Sequence, residues 1–441
     1  MNKEKNKSNK KIENVENYDK ISLKDYKFTI VLLVVIALFV GFTPLIFKGI
    51  KYLNENNIIE NLFSKNEAIK NEDNKDNENK NELIVANYDK SGASAPILKD
   101  GMIPVRYNYI ENKWVKANSE NPATNIWYNY ATGEWANAIL VKESGTKTRK
   151  YYEAANPDTI INDEDILAFF VWIPRYKYSL VSGVGIQQID ITFEDTKTQK
   201  STGPNYITHP AFTLGNKELP GFWIGKFEIT GGINYMTVLP NQNAVTNQNI
   251  SSVYNTLSGF YSNSYGLTKE DSEVRLLRNT EWGAVTYLTN SKYGICSNDK
   301  CETMSTYNFD YSSLDGQKSS TTGNINGVYA MNGSVMEYVM GNNNNLIGDS
   351  GFDNVWMSTN KNYFDFYKDG LENDYSRAIL GDATNEFGPF TNNKSSWNSS
   401  HSVFVDSTNP WFIRDINNSI YSFSKYTGGA HASVGFRLSI N

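Results

Sequence analysis

Histidine and cysteine are nearly missing from this 441-residue chain, which holds three His and two Cys. Three imidazoles exclude a His-rich metal enzyme, and two thiols exclude a disulfide-dense secreted scaffold. Basic residues are also scarce: 42 Lys and Arg stand against 48 Asp and Glu, a net charge of −6. A nucleic-acid binder needs a basic face to neutralise phosphates, so the acidic balance argues against that class. What the chain does have is aromatic, with 28 Tyr, 22 Phe and 9 Trp. Together with 39% apolar residues, these build a sizeable core and exclude a wholly disordered or fibrous chain. The length predicts two to three domains.

Charge is absent from one stretch of twenty residues, Phe28 to Phe47, which reads FTIVLLVVIALFVGFTPLIF between Lys27 and Lys48. At 1.5 Å per residue such a helix spans about 30 Å, the thickness of a hydrocarbon core. A buried core helix is rarely apolar on every face for this length. A cleaved signal peptide has an apolar region of about 7–15 residues and a small-residue cleavage site, and no such site follows here. The reading is an uncleaved transmembrane helix over 28–47. Residues 1–27 carry eight Lys against five acids, and residues 48–82 six Lys against eight acids. The positive-inside rule then places a cytoplasmic tail at 1–27 and the remainder of this single-pass chain outside the cell. Beyond residue 51 the chain carries 32 Lys and Arg against 43 Asp and Glu, net −11. The run FTIVLLVVIA also resembles the start of a type IV prepilin, with Lys27 where that family has Gly and no Glu in the run.

After the anchor the sequence turns polar. Residues 71–82, NEDNKDNENKNE, contain only Asn, Asp, Glu and Lys. Such a stretch cannot bury enough apolar surface to offset ordering entropy, so 48–96 reads as a flexible stalk. Composition shifts near Ile97. Residues 108–117 (NYIENKWVKA) and 129–138 (NYATGEWANA) share the pattern N-Y-x4-W-x2-A. Each reads as a β-hairpin with Tyr and Trp on paired strands, in a small β-module over 97–150. The aromatic pairs suit either cross-strand packing or a surface on which sugar rings stack.

Five later segments organise the residues from 151 to 441. AFFVWIPRYKYSL (168–180) is an aromatic, β-branched strand. ELPGFWIGKFEIT (218–230) is another, with an alternation that stumbles at Gly225 and suggests a bulge. VRLLRNTEWGAVTYLTN (274–290) changes to helical period, with Asn279 as N-cap and Trp282, Val285 and Leu288 on one face. GVYAMNGSVMEYV (327–339) holds an Asn-Gly turn, and HASVGFRLSIN (431–441) is a terminal strand.

In this order these segments resemble the formylglycine-generating-enzyme-like (sulfatase-modifying-factor) branch of the C-type-lectin fold. FWIGKFEIT (222–230) matches the family's F-x-M-G-x-Y-E-V-T, and RLLRNTEW (275–282) matches R-L-P-T-E-A-E-W. VYAMNGSVMEYV (328–339) matches L-Y-D-M-S-G-N-V-W-E-W-V, and Gly435, Phe436 and Arg437 supply the closing G-F-R. The resemblance covers about 270 residues and implies an α+β, C-type-lectin-like domain over 151–441, preceded by the β-module, the stalk and the transmembrane helix.

The family's oxidases carry reactive cysteines before the final G-F-R, but FIRDINNSIYSFSKYTGGAHASVGFR (412–437) has none. Soft sulfur ligands cannot be replaced by Ser or Tyr, so the oxidase activity is not expected to carry over. Iron-binding relatives use several His. Here only His209, His401 and His431 exist, at no metal-ligand spacing, and they read as a loop hydrogen-bonding residue and two surface residues. Cys296 and Cys301 in CSNDKC read as a small disulfide closing a loop. The family also holds Ca²⁺ through its Gly-Asn-x-Trp-Glu turn. Carried over, the resemblance implies Glu337 as side-chain ligand with carbonyls of Asn332, Gly333 and Val335, or else Glu337 capping a turn or pairing with Arg.

Non-enzymatic members of the fold display ligand-binding surfaces before the terminal G-F-R. That segment here holds Trp411, Arg414, Asp415, Asn417, Asn418 and Tyr421, followed by Tyr426 and His431. Rigid rings and adaptable amides suit recognition. Trp411 and Phe423 are expected in the core, with Asn417, Asn418 and Tyr426 exposed. The expected function is a membrane-anchored extracellular protein that binds an external glycan or protein, with Ca²⁺ as its one implied cofactor. The alternatives are an oxidase-like enzyme of the same family and a pilin-like surface subunit.

Overall fold

Hydrophobic runs with strand period account for most of the architecture, which is mixed α+β and rich in strands. The computed structural model describes residues 89–441, apart from 123–125, 145–146, 180–188, 198–199, 203–205, 298–299, 385–401 and 417. The expected tail (1–27), transmembrane helix (28–47) and nearly all of the stalk (48–96) therefore lie outside the described residues, as do Asn417 and His401. Among the described residues no helix is long and apolar enough to cross a membrane.

Strands β1 (Met102–Asn108) and β2 (Lys113–Lys116) form the first hairpin. Its turn differs from the expected one: Tyr107, not Tyr109, stands opposite Trp114. The cause is local. Asn108 Oδ1 accepts the amides of Ile110 and Glu111, and Asn112 takes a left-handed φ of 52°, so the turn consumes Tyr109 and leaves it 54% exposed. The second repeat is not a two-stranded hairpin. A bridge from Asn129 to Glu134 closes a short 3₁₀ turn, Tyr130–Thr132, and Tyr130 stacks on Trp135 with centroids 6.4 Å apart.

Strand β3 (Asn137–Val141) then pairs β4 (Ile166–Pro174), whose nine residues are all buried. Burial on both faces explains its unbroken apolar run. Strand β5 (Gly221–Gly225) continues the sheet in one register from Gly221 opposite Pro174 to Gly225 opposite Phe170. Gly225 thus ends the strand, and the expected bulge is not formed. Farther along the chain come β6 (Val274–Leu276), the second-sheet strands β7 (Met336–Asn343), β8 (Asp365–Tyr367), β9 (Trp411–Arg414), β10 (Phe423–Tyr426) and β11 (Val434–Phe436), and the last strand, β12 (Leu438–Ile440). The first sheet is antiparallel in the order β6-β12-β5-β4-β3-β1-β2. The expected boundary between a module over 97–150 and a domain over 151–441 falls inside this one sheet.

The second sheet runs β8-β7-β9-β10, with β11 also pairing β7. A single residue, Arg437, separates β11 in this sheet from β12 in the other.

The first three α-helices among the described residues are α1 (Arg149–Ala154), α2 (Ile250–Thr256) and α3 (Asn279–Thr289). Asn279 is the first residue of α3 and not its N-cap. Arg278 takes that position, its backbone N–H donating to Glu281 Oε2 at 2.9 Å. Asp365 from β8 accepts the Thr280 amide at 2.6 Å and satisfies another free donor of the first turn. All eleven residues of α3 are buried, so the expected stripe of Trp282, Val285 and Leu288 is one part of a helix enclosed on every side.

Candidate functional site

The expected recognition residues divide sharply by burial. Strand β9 carries Trp411, which is fully buried and donates from Nε1 to the Ile347 carbonyl at 3.0 Å. Arg414 was expected at a ligand surface but is also fully buried. Its Nε donates to Asn279 Oδ1 at 2.8 Å, and its Nη atoms reach the carbonyls of Asp382 and Ala383. Burial lowers this guanidinium to about 10, still protonated at neutral pH. Arg414 therefore joins β9 to α3. Tyr426 and His431 are half-buried, and their rings meet edge to face at 5.0 Å.

Beyond Arg414 the chain turns at Asp415, held at φ 63°. The Asp415 carboxylate accepts the amides of Gly333 at 2.7 Å and Ser334 at 3.3 Å. From the other side Glu228 accepts Ser334 Oγ at 2.8 Å and the Val335 amide at 3.2 Å. Two carboxylates thus grip one turn through three consecutive N–H groups. Gly333 has φ 85°, and a side chain there would strike Thr306, which is why this turn needs Asn-Gly. Burial pushes Asp415 up to about 7. Burial, followed by the negative charge of Glu337, pushes Glu228 up to about 8.

Glu337 is committed elsewhere. Arg437 holds it through Nη2 at 2.5 Å and Nε at 3.1 Å, and both side chains are fully buried. Burial raises the Glu337 carboxyl above its ordinary range, and Arg437 pulls it back. Arg437 also donates to the carbonyls of Gly225 and Ala330. These residues do not fit the expected Ca²⁺. Both oxygens of the only side-chain ligand face a guanidinium, whose charge repels a cation, and the turn directs N–H groups into carboxylates. Among the described residues no group of three or more His, Cys, Asp and Glu side chains is arranged to hold a metal ion.

Above the gripped turn lies a pocket of about 220 Å³. It brings together Asn332 from the turn, Asn418 and Tyr421 from the terminal segment, and Glu302, Thr306 and Ile295 from the loop after α3. Asn332 is buried; its Nδ2 donates to the Met304 carbonyl at 2.8 Å, and its Oδ1 makes no hydrogen bond among the described residues. Asn418 is exposed, with a left-handed φ of 56° that Asn tolerates well. Cys296 and Cys301 form the expected disulfide, opposite one another in a two-residue ladder, and Ile295 and Glu302 flank it. The bridge therefore fixes one wall of the pocket.

Three expected site residues meet here, namely Asn332, Asn418 and Tyr421. Glu302 and Thr306 were missed, because an irregular loop after a helix has no periodic pattern to reveal them. Lys226 and Glu228, charges inside the apolar run FWIGKFEIT, were the available signal for a buried polar network. Lys226 is fully buried and donates to Asn137 Oδ1 at 2.8 Å and to the carbonyls of Ile325 at 2.6 Å and Gly327 at 2.9 Å. His209 fits its expected loop role: Nδ1 accepts the Ala211 amide at 3.2 Å, and burial lowers the ring to about 3, so it stays neutral. No known family model matches the sequence, and no curated protein matches it either.

Proposed function

We propose that this chain is a membrane-anchored extracellular recognition protein. In this reading residues 28–47 span the membrane, the amino terminus is cytoplasmic, and 48–96 space the head from the bilayer. The head is C-type-lectin-like, of the formylglycine-generating-enzyme type, and is catalytically silent because 412–437 contain no cysteine. It binds an external glycan or protein.

One observation carries this reading. Asn332 and the distant pair Asn418 and Tyr421 line a single pocket, and the buried Asn332 brings it an acceptor with no partner among the described residues. Amides that adapt their hydrogen bonds beside a ring of low conformational entropy are suited to binding, not to bond cleavage. The test is an array of glycans and cell-surface proteins probed with the full chain in lipid nanodiscs, with and without Ca²⁺. We expect a saturable partner whose binding weakens at least about tenfold in Asn418→Ala. Binding to nothing under either condition would contradict the proposal.

A further inference from the structure

A second cleft shares no residue with the pocket of Asn332, Asn418 and Tyr421. It has a volume of about 450 Å³ and opens beside β6, the edge strand of the first sheet. Three tyrosines line it: Tyr254 of α2, Tyr261 just beyond that helix, and Tyr363. Each is half-buried. Their rings are held rigidly. The Tyr261 hydroxyl accepts the Val274 amide at 2.7 Å and donates to the Ser272 carbonyl at 3.3 Å. The Tyr363 hydroxyl donates to Glu273 Oε1 at 2.5 Å. Tyr254 packs edge to face on Trp356 at 5.1 Å and lies 6.4 Å from Tyr363.

A second layer steadies this wall. Asn441 Nδ2 donates to Glu273 Oε2 at 3.3 Å, and Asn441 Oδ1 accepts from Arg275 Nε at 3.0 Å. Arg275 is itself buried against Glu281 of α3. The cleft is thus anchored to the core, unlike a depression between loose loops. Around the rings stand exposed Lys217, Lys269 and Glu270. Lys269 Nζ sits 5.5 Å from the centroid of the Tyr261 ring, a cation over an aromatic face.

The geometry points to a second binding site here, for a neutral oligosaccharide. Two ammonium groups and the carboxylates of Glu270, Asp271 and Glu273 oppose one another, so neither an anion nor a cation finds a field of one sign. A polyhydroxyl ligand uses both, since every hydroxyl donates and accepts. The C–H face of a sugar ring meets the negative face of a locked tyrosine, and orientation comes from a few placed polar groups. The volume lies in the range of small-ligand clefts.

The experiment is saturation-transfer NMR on the full chain in lipid nanodiscs. The probes are N-acetylchitotetraose and cellotetraose, both neutral, and tetragalacturonate, which is acidic. We expect saturable transfer to the ring C–H protons of at least one neutral probe and none to tetragalacturonate. Tyr254→Ala is expected to weaken binding about tenfold. Because that change touches packed rings, the paired Lys269→Ala/Glu270→Ala variant, in exposed residues, serves as the second test and is also expected to weaken it. Asn418→Ala, in the other pocket, is expected to leave it unchanged. The proposal is overturned if neither neutral probe binds, if tetragalacturonate binds better, or if both cleft variants bind as the parent does. Loss of binding in Asn418→Ala alone would place the sugar in the other pocket and equally overturn it.

Discussion

Arg437 Nη2 lies 2.5 Å from Glu337 Oε1 at the single residue where the chain leaves one sheet for the other. The carboxylate expected to take a cation receives instead a guanidinium of this same chain. The pair also links the two sheets, because Arg437 reaches the Gly225 carbonyl at the end of β5 while Glu337 sits on β7.

Removing one partner leaves the other charged, buried and alone. Glu337→Gln is therefore expected to lower stability by about 3–5 kcal/mol, and Arg437→Met by a similar amount. Urea unfolding monitored by tryptophan fluorescence measures this. A loss below about 1 kcal/mol in both variants would show that the pair does not tie the sheets.

The grip on the 332–335 turn has a pH signature. Asp415 and Glu228 have folded values of about 7 and about 8, above the ordinary carboxyl range. Their folded state holds protons that the unfolded chain has released, so stability falls as pH rises through the interval between ordinary and folded values. From pH 5 to pH 8.5 the parent is expected to lose at least about 1 kcal/mol, and Asp415→Asn is expected to lose less. Denaturant midpoints across that range decide it, and equal slopes in the two proteins would count against the assignment.

Lys226 offers three N–H donors to three oxygens in a site with no water access, between the rings of Trp114 and Tyr329. Lys226→Met fits the volume but leaves three acceptors unmatched. The expected cost is roughly 3–5 kcal/mol, read as a lowered urea midpoint.

The Cys296–Cys301 bridge closes a short loop, so its effect on the unfolded chain is modest. The paired Cys296→Ser/Cys301→Ser variant is expected to lose about 2 kcal/mol. It should also weaken any ligand of the pocket that Asn418 lines, because Ile295 and Glu302 leave their fixed positions. Retained affinity in the double variant would separate the disulfide from the pocket.

How much of this was written in the sequence depends on range. Strand β4, the disulfide and helix α3 follow from local signals: an apolar β-branched run, two nearby thiols and a shift to helical period. The exposure of Asn418 followed from turn chemistry and the burial of Trp411 from size. Arg414 misled, because a charged residue near a loop reads as surface. Its burial depends on Asn279 and the Asp382 carbonyl, residues distant in sequence that no spacing rule connects. The joining of 97–150 to the main sheet was hidden for the same reason: strand pairing between β3 and β4 is a long-range contact that leaves no periodic trace. The tyrosine cleft was hidden because Tyr363 joins Tyr254 and Tyr261 from a distant stretch of chain.

Strand β12 lies between β6 and β5, and among the described residues β6 has no other neighbour in its sheet. Synthesis therefore adds the middle of this sheet after both of its flanks. A nascent chain halted before Arg437 would expose two open strand borders, each ready to recruit a foreign strand, and would lack the arginine that ties its halves together. Such a chain needs protection until Leu438–Ile440 emerge.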